Sequence, residues 1–188
     1  MKKMLAGIIL IILLGTLTSM CISNNTASTI QSSTTATQPS ESTPTGTTST
    51  HEQEIDITKL HFYMFGAAGC PHCGRMKKLL PEIFGKDKFT YYELQGNEHN
   101  TQLFSELYDT LGITGVPVIG IFYDGHLVAV IEGEIPDPAK NVPLIVNTAL
   151  KENGVLFIAD RTYLIPSNQT EIIKKLETIF MNGEPSEG

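Results

Sequence analysis

Leu60-His61-Phe62-Tyr63-Met64-Phe65-Gly66-Ala67-Ala68-Gly69-Cys70-Pro71-His72-Cys73 is the stretch whose reading decides the fold. Leu60 to Phe65 are β-prone and almost continuously apolar, as a strand buried on both faces should be. Gly66 to Gly69 break that strand. Pro71 suits the first position of a helix, where its missing N–H costs nothing, and Met76, Leu79, Leu80, Ile83 and Phe84 supply an apolar stripe. Pro81 is expected to kink this helix or end it early.

A Cys-x-x-Cys pair at such a junction has a specific chemistry. Cys70 sits where unpaired backbone N–H groups and the positive end of the helix dipole favour a thiolate, which lowers a thiol pKa from about 8.5 into the range of roughly 3.5 to 7.5. It is the expected nucleophile. Cys73, one turn inside the helix, can close a disulfide with it and is placed to resolve a mixed disulfide. His72 can add a positive charge or an N–H donor near the Cys70 sulfur, which stabilises the reduced form and makes the disulfide a stronger oxidant.

Working outward, Phe89 to Leu94 reads as a second strand, and Asn100 or Thr101 can cap a helix carrying Leu103, Phe104, Leu107 and Leu111 that closes at Gly112. Val116 to Tyr123 and Leu127 to Glu132, separated by Asp124-Gly125-His126, predict a β-hairpin. Ala139 to Leu150 predicts a further helix, and 154–159 with 162–165 a short strand pair. Asn168, with Glu171 three positions on, reads as a capping box for a last helix bearing Ile172, Ile173, Leu176, Ile179 and Phe180.

The cysteine motif and the flanking patterns resemble the thioredoxin superfamily from about Leu60 to Gly133. Besides the strand ending at Phe65 and the motif opening a helix, Thr114-Gly115-Val116-Pro117 stands before a hairpin as it does in that family. The central Pro71-His72 is similar to that of the bacterial periplasmic dithiol oxidases. The resemblance implies an α/β, thioredoxin-like fold: a central mixed β-sheet flanked by helices, here with an extra helix and a short strand pair before the C-terminal helix, which would match the family's terminal helix. It also implies that Pro117 is cis and packs beside the cysteines, and that Val116 presents backbone groups to a substrate chain. Gly133 falls where the family often has a glycine in the edge strand. There are departures. Ala67-Ala68-Gly69 stands where thioredoxin has a tryptophan before its first cysteine, and Met64 stands where many relatives bury an acid. Glu93, at the end of the second strand, is either a replacement for that acid from across the sheet or a solvated strand-end carboxylate.

The 188-residue chain is 41% apolar, which suits one globular domain, expected over 55–183 and followed by a disordered tail, 184–188. Its net charge of −7 and lack of a Lys/Arg cluster argue against nucleic acid as a partner. With Lys2, Lys3 and Glu41 set aside, 11 basic and 19 acidic side chains remain, so the folded part is acidic and its surface soluble. At the amino end, Lys2 and Lys3 precede an apolar run from Met4 to Leu17, the pattern of an export signal. Leu17-Thr18-Ser19-Met20-Cys21 resembles a lipoprotein box, with Thr18 and Met20 departing from its usual residues. Segment 1–21 is thus a signal or anchor: lipidated at Cys21, retained uncleaved, or removed to leave a secreted chain. Residues 22–54, rich in Ser and Thr, have too little apolar area to offset the cost of ordering, about 1 to 2 kcal/mol per residue, and are expected to form a disordered tether. Asn24-Asn25-Thr26 and Asn168-Gln169-Thr170 are N-glycosylation triplets.

These residues point to an extracytoplasmic thiol-disulfide oxidoreductase that forms or rearranges disulfides in client proteins through Cys70 and Cys73. It would need no cofactor and would be recharged by a separate redox partner, with its amino-terminal segment contacting the membrane. Two other readings of this kind of chain are a tethered reductase of client or apo-cytochrome disulfides and a non-catalytic client-binding module. A metal site is disfavoured because zinc takes four ligands and neither a second Cys-x-x-Cys nor a paired-histidine spacing is present. A purely structural Cys70-Cys73 bridge is disfavoured because so short a loop removes little unfolded-chain entropy.

Overall fold

The computed structural model describes residues 54–186. The expectations for segment 1–21, Cys21, the tether up to residue 53 and Asn24 lie outside the described residues. Among the described residues no helix is long and apolar enough to cross a membrane.

The elements are β1 (Leu60–Gly66), α1 (Pro71–Phe84), β2 (Phe89–Glu93), α2 (Glu98–Leu111), β3 (Val118–Tyr123), β4 (His126–Glu132), α3 (Pro138–Glu152), β5 (Gly154–Ile158), β6 (Thr162–Pro166) and α4 (Thr170–Met181). The strands form one mixed sheet in the order β2-β1-β3-β4-β5-β6. β1 runs parallel to β2 and antiparallel to β3, and β3 and β4 form the hairpin. At its turn Asp124 and Gly125 both have positive φ, 55° and 81°, the conformation that makes an Asp-Gly pair favourable there. Helix α3 then crosses over to bring β5 parallel to β4, and β6 returns along β5. The segment beyond Pro136 therefore widens the central sheet.

Burial on both faces explains the unbroken apolar runs. Phe62 and Met64 of β1 with Ile119 and Ile121 of β3 pack under α1 and α3, against Met76, Leu80, Val142 and Val146. Phe65, Val118 and Phe122 point the other way, to Leu103 and Leu107 of α2 and Leu176, Ile179 and Phe180 of α4. The helix that directly follows the hairpin and shares a face with α1 is α3. Helix α4 covers the opposite face beside α2.

Several local expectations are corrected. Pro81 lies inside α1, which continues to Phe84; so near the helix end the proline removes one backbone hydrogen bond and leaves the later turn intact, with the Gly85 amide donating to the Pro81 carbonyl. Asn97, not Asn100 or Thr101, caps α2 by accepting from the Asn100 amide. Asn100 is fully buried and uses its side chain to bind the Glu93 carbonyl and both backbone groups of Glu184. Gln169 holds the N-cap place of α4 with no side-chain hydrogen bond, so Asn168 forms no capping box. Residues 184–186 are not a free tail. The Ser186 amide donates to the Tyr91 carbonyl and its hydroxyl accepts from the Glu93 amide, which ties this segment to the edge of β2.

Candidate functional site

Cys70 is the N-cap residue of α1, and its sulfur accepts a hydrogen bond from the Cys73 amide at 3.2 Å. The side chain that satisfies the helix terminus is thus the expected nucleophile, and Pro71 at the first helical position has no N–H to compete for it. The two cysteines are joined in a disulfide with Cα atoms 5.3 Å apart. Cys73 is 2% exposed, while Cys70 is partly open to solvent. This asymmetry directs an incoming thiolate to Cys70.

Room for Cys73 comes from Gly66 at the end of β1. A Cβ there would stand 2.8 Å from the Tyr91 ring and 3.2 Å from the Cys73 Cβ, so any side chain would displace the ring and crowd Cys73. A glycine closing the strand was visible in the sequence, but its neighbours across the sheet were not.

Opposite the cysteines lies the loop before β3. The Val116–Pro117 peptide bond is cis, and the Val116 carbonyl oxygen lies 3.7 Å from the Cys70 sulfur. Two backbone-directed anchors hold this loop. The Pro117 carbonyl accepts from the Gly133 amide at 2.7 Å, and Glu132 Oε1 accepts from the Thr114 amide, the Gly115 amide and the Thr114 hydroxyl. In the sequence Glu132 is only the last residue of a predicted strand, and nothing near it tells which amides its carboxylate meets. Gly133, beside it, adopts φ 103°, a conformation open to glycine at little cost.

The fold is thioredoxin-like. A parallel β-α-β opening, an antiparallel hairpin entered through a cis-proline and a Cys-x-x-Cys at the first helix terminus together define it. No family model matches the sequence. Nor does any curated protein. Among solved structures, the thioredoxin of Malassezia sympodialis, described as a member of a new pan-allergen family, aligns over 47% of this chain and 76% of its own at 18% identity, with a TM-score of 0.31.

On this thioredoxin-like scaffold the cysteine pair is equipped for thiol redox chemistry. Among the described residues no group of three or more His, Cys, Asp or Glu side chains is arranged to hold a metal ion. His72, expected near the Cys70 sulfur, makes its polar contacts with other groups: its Nδ1 lies 3.1 Å from Glu134 Oε2 and 2.7 Å from a terminal nitrogen of Arg75. The ring is exposed, and the attractions of the Glu134 carboxylate and the absence of a negative charge on a disulfide sulfur both favour that orientation. A hydrogen bond from Arg75, outweighing partial burial, with a further one from His72 holds the Glu134 carboxyl below the usual carboxylate range.

Glu93 is neither a buried proton relay nor a free solvated group. Its Oε1 accepts from the Ala68 and Gln95 amides, each at 2.9 Å, and its Oε2 from the Tyr91 hydroxyl at 2.9 Å, so it fixes the loop two residues before Cys70. Burial pushes the Glu93 carboxyl up, but the Gln95, Ala68 and Tyr91 hydrogen bonds together outweigh it and leave it below the ordinary value. A carboxyl whose pKa is depressed in the folded state stabilises that state above the unfolded value, about 4.3, and loses the contribution as pH falls through the folded one. Glu93→Gln should therefore flatten the acid limb of the stability profile. In urea titrations, the gap between wild type and variant should be widest above pH 5 and should narrow as the pH falls; a gap independent of pH would contradict this role.

Proposed function

We propose that the protein is an extracytoplasmic thiol-disulfide oxidoreductase that forms or rearranges disulfides in client proteins, held at the outer face of a membrane by a lipidated Cys21 and the Ser/Thr-rich stalk. The observation that carries the reading is the Cys70 sulfur acting as the N-cap acceptor of α1, with its partner Cys73 buried one turn further in. The chemistry follows from that asymmetry. A client thiolate attacks the Cys70 sulfur, the Cys70–Cys73 bond breaks, and Cys73 leaves as a thiolate that takes up a proton. A second client thiolate then attacks the client sulfur of the mixed disulfide, forming the client disulfide and expelling Cys70 as a thiolate. Two electrons pass from the client to the pair, and a separate redox partner must remove them.

The loop at Val116 supports client binding. Proline has no N–H, so position 117 cannot donate to a neighbouring strand, and an extended client segment can pair with the Val116 backbone beside Cys70.

Equilibration of the pair with glutathione buffers tests the direction. A reduction potential between about −120 and −180 mV, the range of strong oxidants and isomerases, is the expected result; a value near about −270 mV, that of a reductant, would overturn it. Mass spectrometry of the membrane-extracted chain should find a diacylated Cys21 as its first residue. An intact Met1 or an unmodified soluble chain would overturn the lipid anchor.

A further inference from the structure

His72, Arg75 and Glu134 form one charged cluster on the rim of the disulfide site. Glu134 Oε2 faces His72 Nδ1 at 3.1 Å, Glu134 Oε1 accepts from Arg75 Nε, and Arg75 Nη2 lies 2.7 Å from the same Nδ1. Nδ1 cannot serve both neighbours at once. With a lone pair it accepts from the guanidinium, and with a proton it donates to the carboxylate. Both alternatives hold the ring on the Glu134 side of the first turn of α1, while the Cys70 sulfur is engaged by the Cys73 amide.

Glu134 is well anchored for this. It follows Gly133, whose amide is bound to the Pro117 carbonyl, so the carboxylate belongs to the same segment that braces the client loop. The Glu132-Gly133-Glu134 sequence thus has a hold on each wall of the site: Glu132 on the Thr114-Gly115 amides, Glu134 on the helix that carries the cysteines.

We propose that Glu134 is a positioning residue that sets the redox poise of the Cys70–Cys73 pair by holding His72 away from the Cys70 sulfur. The inference rests on the redox reading above. When two glutathione molecules reduce the pair, the disulfide bond breaks and one glutathione disulfide forms. Cys73 keeps one proton as a thiol, the other proton goes to solvent, and Cys70 remains as a thiolate. Only after this step does the sulfur carry a negative charge that competes with Glu134 for the imidazole. The tighter the carboxylate holds the ring, the less the ring stabilises the thiolate, and the weaker the disulfide is as an oxidant.

Releasing the ring should therefore favour the dithiol. In glutathione buffers, Glu134→Gln should raise the equilibrium constant for reduction about tenfold, equivalent to about 30 mV toward the oxidising side. The same substitution made in a His72→Ala background should leave the constant unchanged. A rise that persists without His72 would overturn the inference, because it would then come from the freed Arg75 or from removal of a negative charge near the sulfur. An unchanged constant in the single variant, or a change in the opposite direction, would overturn it while leaving the redox reading intact. Failure of the wild-type pair to exchange with glutathione at all would overturn both.

Discussion

A Cys73→Ala variant should accumulate covalent complexes with client proteins, whereas Cys70→Ala should form none. The reason is the division of labour built into the first turn of α1. Cys70 caps the helix and its sulfur accepts the Cys73 amide, so the charge of a thiolate is met by a backbone donor and by the positive end of a 14-residue helix. Cys73 is buried and reaches only a disulfide already formed on Cys70. With Cys73 absent, attack of Cys70 on a client disulfide still proceeds, but the mixed disulfide has no internal thiol to release it. Non-reducing gels of the two variants incubated with a disulfide-bonded client protein should therefore differ completely. The reduced wild-type protein offers a second measure. Near pH 5 to 6 an ordinary thiol is almost wholly protonated, so iodoacetamide should label Cys70 at least about tenfold faster than Cys73. Equal rates, or trapping by the Cys70→Ala variant, would contradict the assignment of roles.

Phe180→Ala should be among the most destabilising single substitutions, by about 3 to 5 kcal/mol. The ring is fully buried where α4 crosses the sheet, near Phe65 at 5.8 Å and edge-on to Phe122 at 6.3 Å between centroids. It lies directly over Gly120, where a Cβ would come within 2.9 Å of it, so Gly120 has no side chain to move into the space it vacates. The Tyr92 hydroxyl, bonded to the Phe180 carbonyl at 2.7 Å, keeps its partner because the substitution leaves the backbone in place. Against a total stability of about 5 to 15 kcal/mol, the loss should move the urea midpoint by a molar unit or more with little change in slope. A shift equivalent to less than about 1 kcal/mol would mean that α4 contributes little to the folded domain. The same experiment separates stability from chemistry, since Phe180 lies in the cluster under α2 and α4 and away from the α1–α3 face.

The two predictions draw on different sources of knowledge. The roles expected of Cys70 and Cys73 follow from local order alone: an apolar run too continuous for a half-exposed strand, a glycine break, and a cysteine immediately before a proline suited to the first position of a helix. Strand and helix identities along β1, α1, β2 and the hairpin follow from periodicity and turn chemistry in the same way, because those preferences act over a few residues. The sequence also predicted the hairpin, with Val116 and Pro117 as the first residues of its first strand; the structure starts that strand at Val118 and leaves the two in the preceding loop.

What only the tertiary structure decided are pairings between residues far apart in the chain. His72 turns to Glu134, sixty-two positions on, rather than to the neighbouring sulfur, because a carboxylate and a guanidinium meet there across the site. Glu93 and Glu132 become loop anchors because the amides of Ala68 and of Thr114 and Gly115 fold against them. The side chain of Asn100, apt for a cap in one dimension, is taken by Glu93 and Glu184 backbone groups, and the cap passes to Asn97. The choice of face for α3 and α4 depends on which apolar side of the sheet each helix can cover, and both sides are equally apolar in sequence. A residue's own chemistry and its near neighbours are written in the chain; the partner that fixes its orientation is chosen only when distant segments compete for the same hydrogen bond, charge or apolar surface.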